Sequence, residues 1–112
     1  MVLPSAVLVM PLLFAAATGL EGAVQAARAD AAQRTGLPAG SIALVNAEAV
    51  TWPDGSLGCP QPGMNYTMAL VPGYRVKLRV DTKLFDYHAS VHGALVLCPP
   101  EHSTDPVPDG RS

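Results

Sequence analysis

Cationic side chains are scarce in this chain: 2 Lys and 5 Arg stand against 9 Asp and Glu, a formal net charge of −2 over 112 residues. Nucleic-acid domains gather a basic excess on one face, so this composition argues against such a partner. Aromatic residues make up only 5%, too few for a stacking platform under single-stranded bases. Cysteine is limited to Cys59 and Cys98, and His88, His92 and His102 lie scattered along the chain. That set forms no zinc-ligand spacing, so neither metal nor cofactor is expected. Charge is also missing from the start, with no Asp, Glu, Lys or Arg before Glu21.

The uncharged start reads as a signal-like leader over residues 1–17. Leu3 to Ala17 gives the apolar stretch and Ala15-Ala16-Ala17 a small-residue cleavage site, although no Lys or Arg precedes it. Pro4 and Pro11 disfavour a regular spanning helix. An uncleaved anchor and a buried N-terminal helix are the alternative readings. In an exported protein Cys59 and Cys98 would pair, closing a loop of about 40 residues worth roughly 3–4 kcal/mol. Two buried free thiols are the alternative there.

From Thr18 onward the chain turns Ala-rich. Thr18-Gly19-Leu20-Glu21 has the letters of a capping box. Leu20, Val24, Ala27 and Ala31 repeat at helical spacing, and Gly36 followed by Pro38 supplies a stop. Ser41 to Trp52 reads as a strand whose alternation changes phase, which a bulge near Asn46 would reconcile. A short strand is expected over Asn65–Val71 and a turn at Pro72-Gly73. Tyr74 to Asp81 alternates cleanly: Tyr74, Val76, Leu78 and Val80 against Arg75, Lys77, Arg79 and Asp81. Asp81-Thr82-Lys83 then turns the chain into Leu84–His88, and Ala94–Cys98 is a last short strand. From Pro99 the sequence is Pro-rich with Val107 its only large hydrophobe, so 99–112 is expected as a disordered tail.

Between the first two strand regions lies Trp52-Pro53-Asp54-Gly55-Ser56-Leu57-Gly58-Cys59-Pro60-Gln61-Pro62-Gly63, half of it Gly or Pro. Such a run is neither helix nor regular strand, yet it holds a tryptophan and a cysteine, so a structured loop is expected. Trp52 reads as a ring closing one end of the core, and Asp54 to Gly58 as an exposed, pre-ordered tip.

Asp54-Gly55-Ser56 suggests a nucleophilic serine, with Asp86 and His88 downstream. Residues two apart on a strand stand roughly 6–7 Å apart, too far for Asp86 to orient the imidazole. Asp54 and Ser56 are better read as satisfying backbone groups of their own loop. His88 and His92 fit exposed polar histidines better than metal ligands. Arg75, Lys77 and Arg79 fit the solvated side of a half-buried sheet, with an acidic partner's contact surface as the alternative.

The twelve-residue run, with Tyr66, Pro72-Gly73-Tyr74-Arg75-Val76, Tyr87-His88 and Cys98, resembles a family of small exported bacterial proteins with a W-P-D-G-S-L-G-C-P-x-P-G motif and no assigned reaction. The resemblance covers about Val24 to Cys98 and implies export and a Cys59–Cys98 disulfide. It departs at Asp81-Thr82-Lys83, where an Asp-Gly turn is more usual. The element order is also similar, more loosely, to cystatin-like and PepSY-type domains, which would imply a non-catalytic module.

The expectation is thus one α+β domain over residues 18–98, a helix across a three- to five-stranded antiparallel sheet with one disulfide. It is read as a secreted, periplasmic or cell-envelope protein, and as a monomer. A binding module without catalytic residues is expected, protease-inhibitor-like or accessory to the envelope, acting through the 53–63 loop. Trp52, Asp54, Gly55, Ser56, Leu57 and Gly58 are its candidate binding residues, for a protein or peptide partner. Membrane contact follows only if the leader stays uncleaved. A purely structural envelope protein is the alternative, and a serine hydrolase built on Ser56 and His88 the remote one.

Overall fold

Alanine loses no side-chain entropy in a helix, and in the computed structural model, which describes residues 18–108, the Ala-rich segment Gly19–Thr35 is helix α1. Thr18 takes the N-cap place, but its side chain makes no capping hydrogen bond, so the expected capping box is not closed. Gly19 stands at φ 68, so the chain enters the helix through a left-handed residue. At the other end Gly36 is the left-handed cap, its N–H on the Ala32 carbonyl at 2.8 Å.

The strands are β1 (Ala43–Trp52), β2 (Val71–Val80), β3 (Lys83–Ser90) and β4 (Leu95–Cys98), in one antiparallel sheet of order β1-β2-β3-β4. This is the α+β class expected from sequence. The register of β1 shifts between Leu44 and Asn46, so Val45 is the bulged residue that reconciles the two phases. Asp81-Thr82 makes a two-residue turn, with Val80 opposite Lys83 and Asp81 at φ 57.

Two expectations change here. Asn65–Leu70 is not strand, and Pro72-Gly73 is not a turn but lies within β2. Pro72 is tolerated because its missing N–H faces the β3 side just beyond the last pair, Gly73 with Ser90. Gly73 is required because a Cβ there would run into the Ala89 carbonyl and stand 2.7 Å from Trp52 Nε1.

One sheet face packs on α1. Ala27 and Ala31 meet Ile42, Val76, Leu78, Val80 and Tyr87 in a single buried cluster, each large side chain worth roughly 1.5–3 kcal/mol on burial. The small alanines let helix and sheet approach closely. Arg28 Nη1 ties α1 to the Ile42 carbonyl at 2.7 Å. Tyr87 donates its hydroxyl to Asp30 at 2.8 Å, and Asp30 also holds Arg34 at 2.6 Å. Burial and the Asp30 carboxylate push the Tyr87 phenol well above its usual range.

The opposite face is covered as well. Trp52, Leu57, Cys59, Arg75, Asp86, His88 and Cys98 are all buried there, under the 53–63 loop and residues beyond Pro99. The expected tail is therefore corrected over 99–108. Pro100–His102 forms a 3-10 turn, Thr104 donates its N–H to the Gly58 carbonyl at 2.8 Å, and Val107 donates to Thr51 at 2.8 Å. Backbone hydrogen bonds supply the attachment that a shortage of hydrophobic side chains withholds. The leader of residues 1–17 and the end of the tail lie outside the described residues. Among the described residues no helix is long and apolar enough to cross a membrane.

Candidate functional site

At the end of β1 the Trp52 ring turns onto the second sheet face. Its Nε1 donates to the Ala89 carbonyl at 2.9 Å, which satisfies the one polar atom that burial would otherwise strand. The loop that follows is shaped by local hydrogen bonds. Asp54 Oδ1 accepts the Ser56 N–H at 2.8 Å and the Ser56 hydroxyl at 2.5 Å, the turn role read from sequence for these two residues. Gly55 N–H donates to the Thr67 carbonyl at 2.8 Å.

Leu57 and Gly58 then take φ values of 56 and 69. A left-handed leucine costs roughly 1–2 kcal/mol, and two consequences of its placement offset that cost. Its side chain is buried, and its carbonyl faces His88 Nδ1 at 2.6 Å. Gly58 cannot carry a side chain, since a Cβ would sit 2.6 Å from Trp52 Cζ3. Cys59 is joined to Cys98 at the end of β4, with 5.8 Å between the Cα atoms. Ser56 to Cys59 are thus buried, which corrects the expected exposed tip over Ser56 to Gly58, while Gly55 is exposed and Asp54 half-buried. Trp52 is buried by stacking on the polar face of the sheet, outside the helix-side cluster.

The polar face of β2 and β3 holds the only buried charges among the described residues. Register places Arg75 opposite His88 and Lys77 opposite Asp86. Arg75 forks onto Asp86, Nε to Oδ1 at 3.1 Å and Nη2 to Oδ2 at 2.9 Å. Nη2 also reaches Ser103 Oγ at 3.2 Å, and Nη1 reaches Asp105 Oδ1 at 3.0 Å. Ser103 donates its hydroxyl to Asp86 Oδ2 at 2.8 Å. Arg75 is therefore not the solvated cation expected of a basic stripe, because the C-terminal segment lies over it. Lys77 is half-buried and Arg79 exposed.

His88 is fully buried, stacked on Trp52 with ring centroids 4.4 Å apart at 19°. Nδ1 carries hydrogen, because a carbonyl oxygen can only accept. Nε2 lies 3.1 Å from Asp86 Oδ2 and 3.3 Å from Ser103 Oγ. The separation expected between Asp86 and His88 is thereby corrected: side chains two apart on a strand can lean together although their Cα atoms stand apart. Burial pushes the Asp86 carboxyl up. Hydrogen bonds from His88, Arg75 and Ser103, with the charge of His88, outweigh it and hold that carboxyl well below the usual range.

A serine, a histidine and an aspartate do meet here, but the serine is Ser103 and not Ser56. In a nucleophile relay the imidazole stands between hydroxyl and carboxylate, one on each nitrogen. Here both approach Nε2, the backbone holds Nδ1, and the hydroxyl hydrogen goes to the carboxylate. What this cluster does is fasten residues 103–105 to the sheet, and no buried side-chain nitrogen or oxygen among the described residues is left without a partner. His92 is exposed in the β3–β4 turn, and no group of three His, Cys, Asp or Glu among the described residues could hold a metal ion. Sequence reasoning missed Ser103 and Asp105. The inward role of Arg75 had a signal, because the two-residue turn at Asp81-Thr82 sets the register that faces it to His88.

The exposed large apolar side chains of this region lie beyond the disulfide. Met68, Leu70 and Met64 keep 84%, 64% and 59% of their surface in water.

A helix on a four-stranded antiparallel sheet, with a disulfide-tied loop and a C-terminal strap closing the other face, defines a small cystine-locked α+β domain. The family described as Domain of unknown function (DUF8738) matches residues 24–98, and the chain belongs to that family. No curated protein and no solved structure matches the chain.

Proposed function

We propose that this domain is an exported, non-catalytic binding module that takes a protein or peptide partner at the loop between β1 and β2. The observation that carries the reading is the trio Met64, Met68 and Leu70, held in water by a loop anchored on both sides. Cys59 fixes its start and the Gly55–Thr67 hydrogen bond braces it. Large exposed apolar side chains concentrated in one loop mark interaction surfaces, and methionine adapts to varied partners. Export is supported by the disulfide, which persists in oxidising compartments, and by the apolar composition of residues 2–17. The site is the 60–70 part of the loop, since Ser56 to Cys59 face the sheet. A protease-inhibitor-like or envelope-accessory role fits such a module.

Incorporating a photo-crosslinking residue at Met68 in cells that export the protein tests this directly. A discrete adduct, lost when Met64 and Leu70 are changed to Ser in a folded chain, is the expected result. Absence of any adduct at positions 64 and 68, with no inhibition of a panel of secreted peptidases, would sink it. The burial of Ser56 to Cys59 favours a second reading, a structural envelope protein whose loop serves only as a cover. That reading expects the Met64→Ser, Leu70→Ser variant to behave as wild type in every assay.

A further inference from the structure

Arg75 offers its guanidinium in two directions. The Nε/Nη2 edge is taken by Asp86 and Ser103, inside the protein. Nη1 faces outward, and its partner is Asp105, whose side chain keeps 90% of its surface in water. An arginine with a side chain only 10% exposed is thus satisfied on its outer edge by a carboxylate that barely belongs to the fold.

That edge opens into a cleft of about 870 Å³, lined by Val50, Thr51, Leu70, Arg75, Asp105 and Val107 among others. The volume is in the range of ligand sites. Its wall is β1, an edge strand of the sheet. Among the described residues, the backbone bond reaching β1 from outside the sheet is that of Val107 N–H on the Thr51 carbonyl. Residues 105–108 themselves form one side of the cleft, and they show how a chain can lie along the β1 edge there: a carboxylate on Arg75 and, two residues on, an N–H given to the Thr51 carbonyl. Pro106 and Pro108 have no N–H to give, so the chain's own segment makes only a minimal version of strand addition.

We propose that this cleft is a groove for an extended acidic peptide of a partner protein, with Asp105 holding the place of the ligand's carboxylate. The proposal rests on the binding-module reading above and names the chemistry of the partner. The ligand carries Asp or Glu to meet Arg75 Nη1, and an apolar residue two positions later whose N–H pairs with Thr51. Leu70 contacts that residue from the loop side. Residues 105–108 act as a resident competitor that a longer strand, free of prolines, displaces.

The full-length chain carrying Asp105→Ala and Val107→Pro opens the groove without changing any residue of the sheet. The probe is a fluorescein-labelled, end-blocked peptide of sequence Ser-Thr-Asp-Ala-Val-Ala, with its Asp→Asn copy as control. Fluorescence anisotropy is expected to show the opened variant binding the Asp peptide about tenfold tighter than wild type does, and about tenfold tighter than it binds the Asn copy. Equal binding of both peptides, or no binding to a variant whose amide NMR spectrum shows it folded, overturns the proposal. So does a dimer by light scattering in which the strap is exchanged, which would make a second copy the occupant. If the double variant does not fold, Asp105→Ala alone decides. Sodium acetate should raise its melting temperature above that in sodium chloride of equal ionic strength and leave wild type unchanged, and no difference overturns the groove. Crosslinking at Met68 reads the module separately, so a failed groove and a failed module are distinguishable.

Discussion

Trp52 and His88 are bound face to face, 4.4 Å apart, although they come from strands that do not touch each other in the sheet. The contact is made over Gly73 of β2, the residue between them that lacks a side chain. Around it gather the Leu57 carbonyl on His88, the Ala89 carbonyl on Trp52, and the disulfide.

Removing the indole should therefore be severe. Trp52→Ala is expected to cost about 3–5 kcal/mol. Trp52→Phe keeps a ring against His88 and loses the Nε1 hydrogen bond, so a smaller loss of about 1–2 kcal/mol is expected. Urea unfolding followed by circular dichroism measures both, and equal costs would contradict the stacking account.

Glycine at 73 is a stricter requirement than glycine at 36. Gly73→Ala puts a methyl into the Ala89 carbonyl and the Trp52 ring, and loss of the folded state is expected. Gly36→Ala meets nothing within 4 Å and changes only a left-handed cap, so about 1 kcal/mol is expected. Thermal melts of the two variants check the contrast.

The disulfide closes a chain segment of 39 residues in sequence separation. Its loss in the Cys59→Ser, Cys98→Ser double variant is expected to cost roughly 3–4 kcal/mol. The 53–63 loop and the strap over Gly58 should lose hydrogen-exchange protection before the α1 side does. Intact-mass measurement with and without reductant reports the bond itself, and hydrogen exchange reports the order of loss.

Asp86 gives the pH dependence. Its carboxyl is held below its unfolded value, so the stability it contributes is present above about pH 4 and is lost as pH falls through that range and below. Asp86→Asn should destabilise the protein at neutral pH and flatten the acid side of its stability curve. Denaturant midpoints from pH 3 to pH 7 for both chains measure this, and parallel curves would show that Asp86 is not the group responsible.

Much of the helix side was legible in the sequence. Gly36 stops α1, the alternation of Val76, Leu78 and Val80 faces the helix, and the phase change near Asn46 became a bulge at Val45. These are local signals, since capping and period-two alternation are set by neighbours in the chain. The pairing of Asp54 with Ser56 was legible for the same reason.

What the tertiary structure alone decided was the fate of the other sheet face. Alternation says that Arg75, Asp86 and His88 share a side but not whether water or chain covers it. Residues 99–108 carry almost no hydrophobic pattern and four of them are proline, so the sequence marks them as a tail. Their attachment comes from Thr104 and Val107 backbone donors and from Ser103 and Asp105 side chains, meeting groups 15 or more residues away. Hydrogen bonds of that kind need both partners already in place, so no local pattern announces them. They turn a solvated stripe into a buried ion pair, while residues 60–70 of the loop stay largely in water.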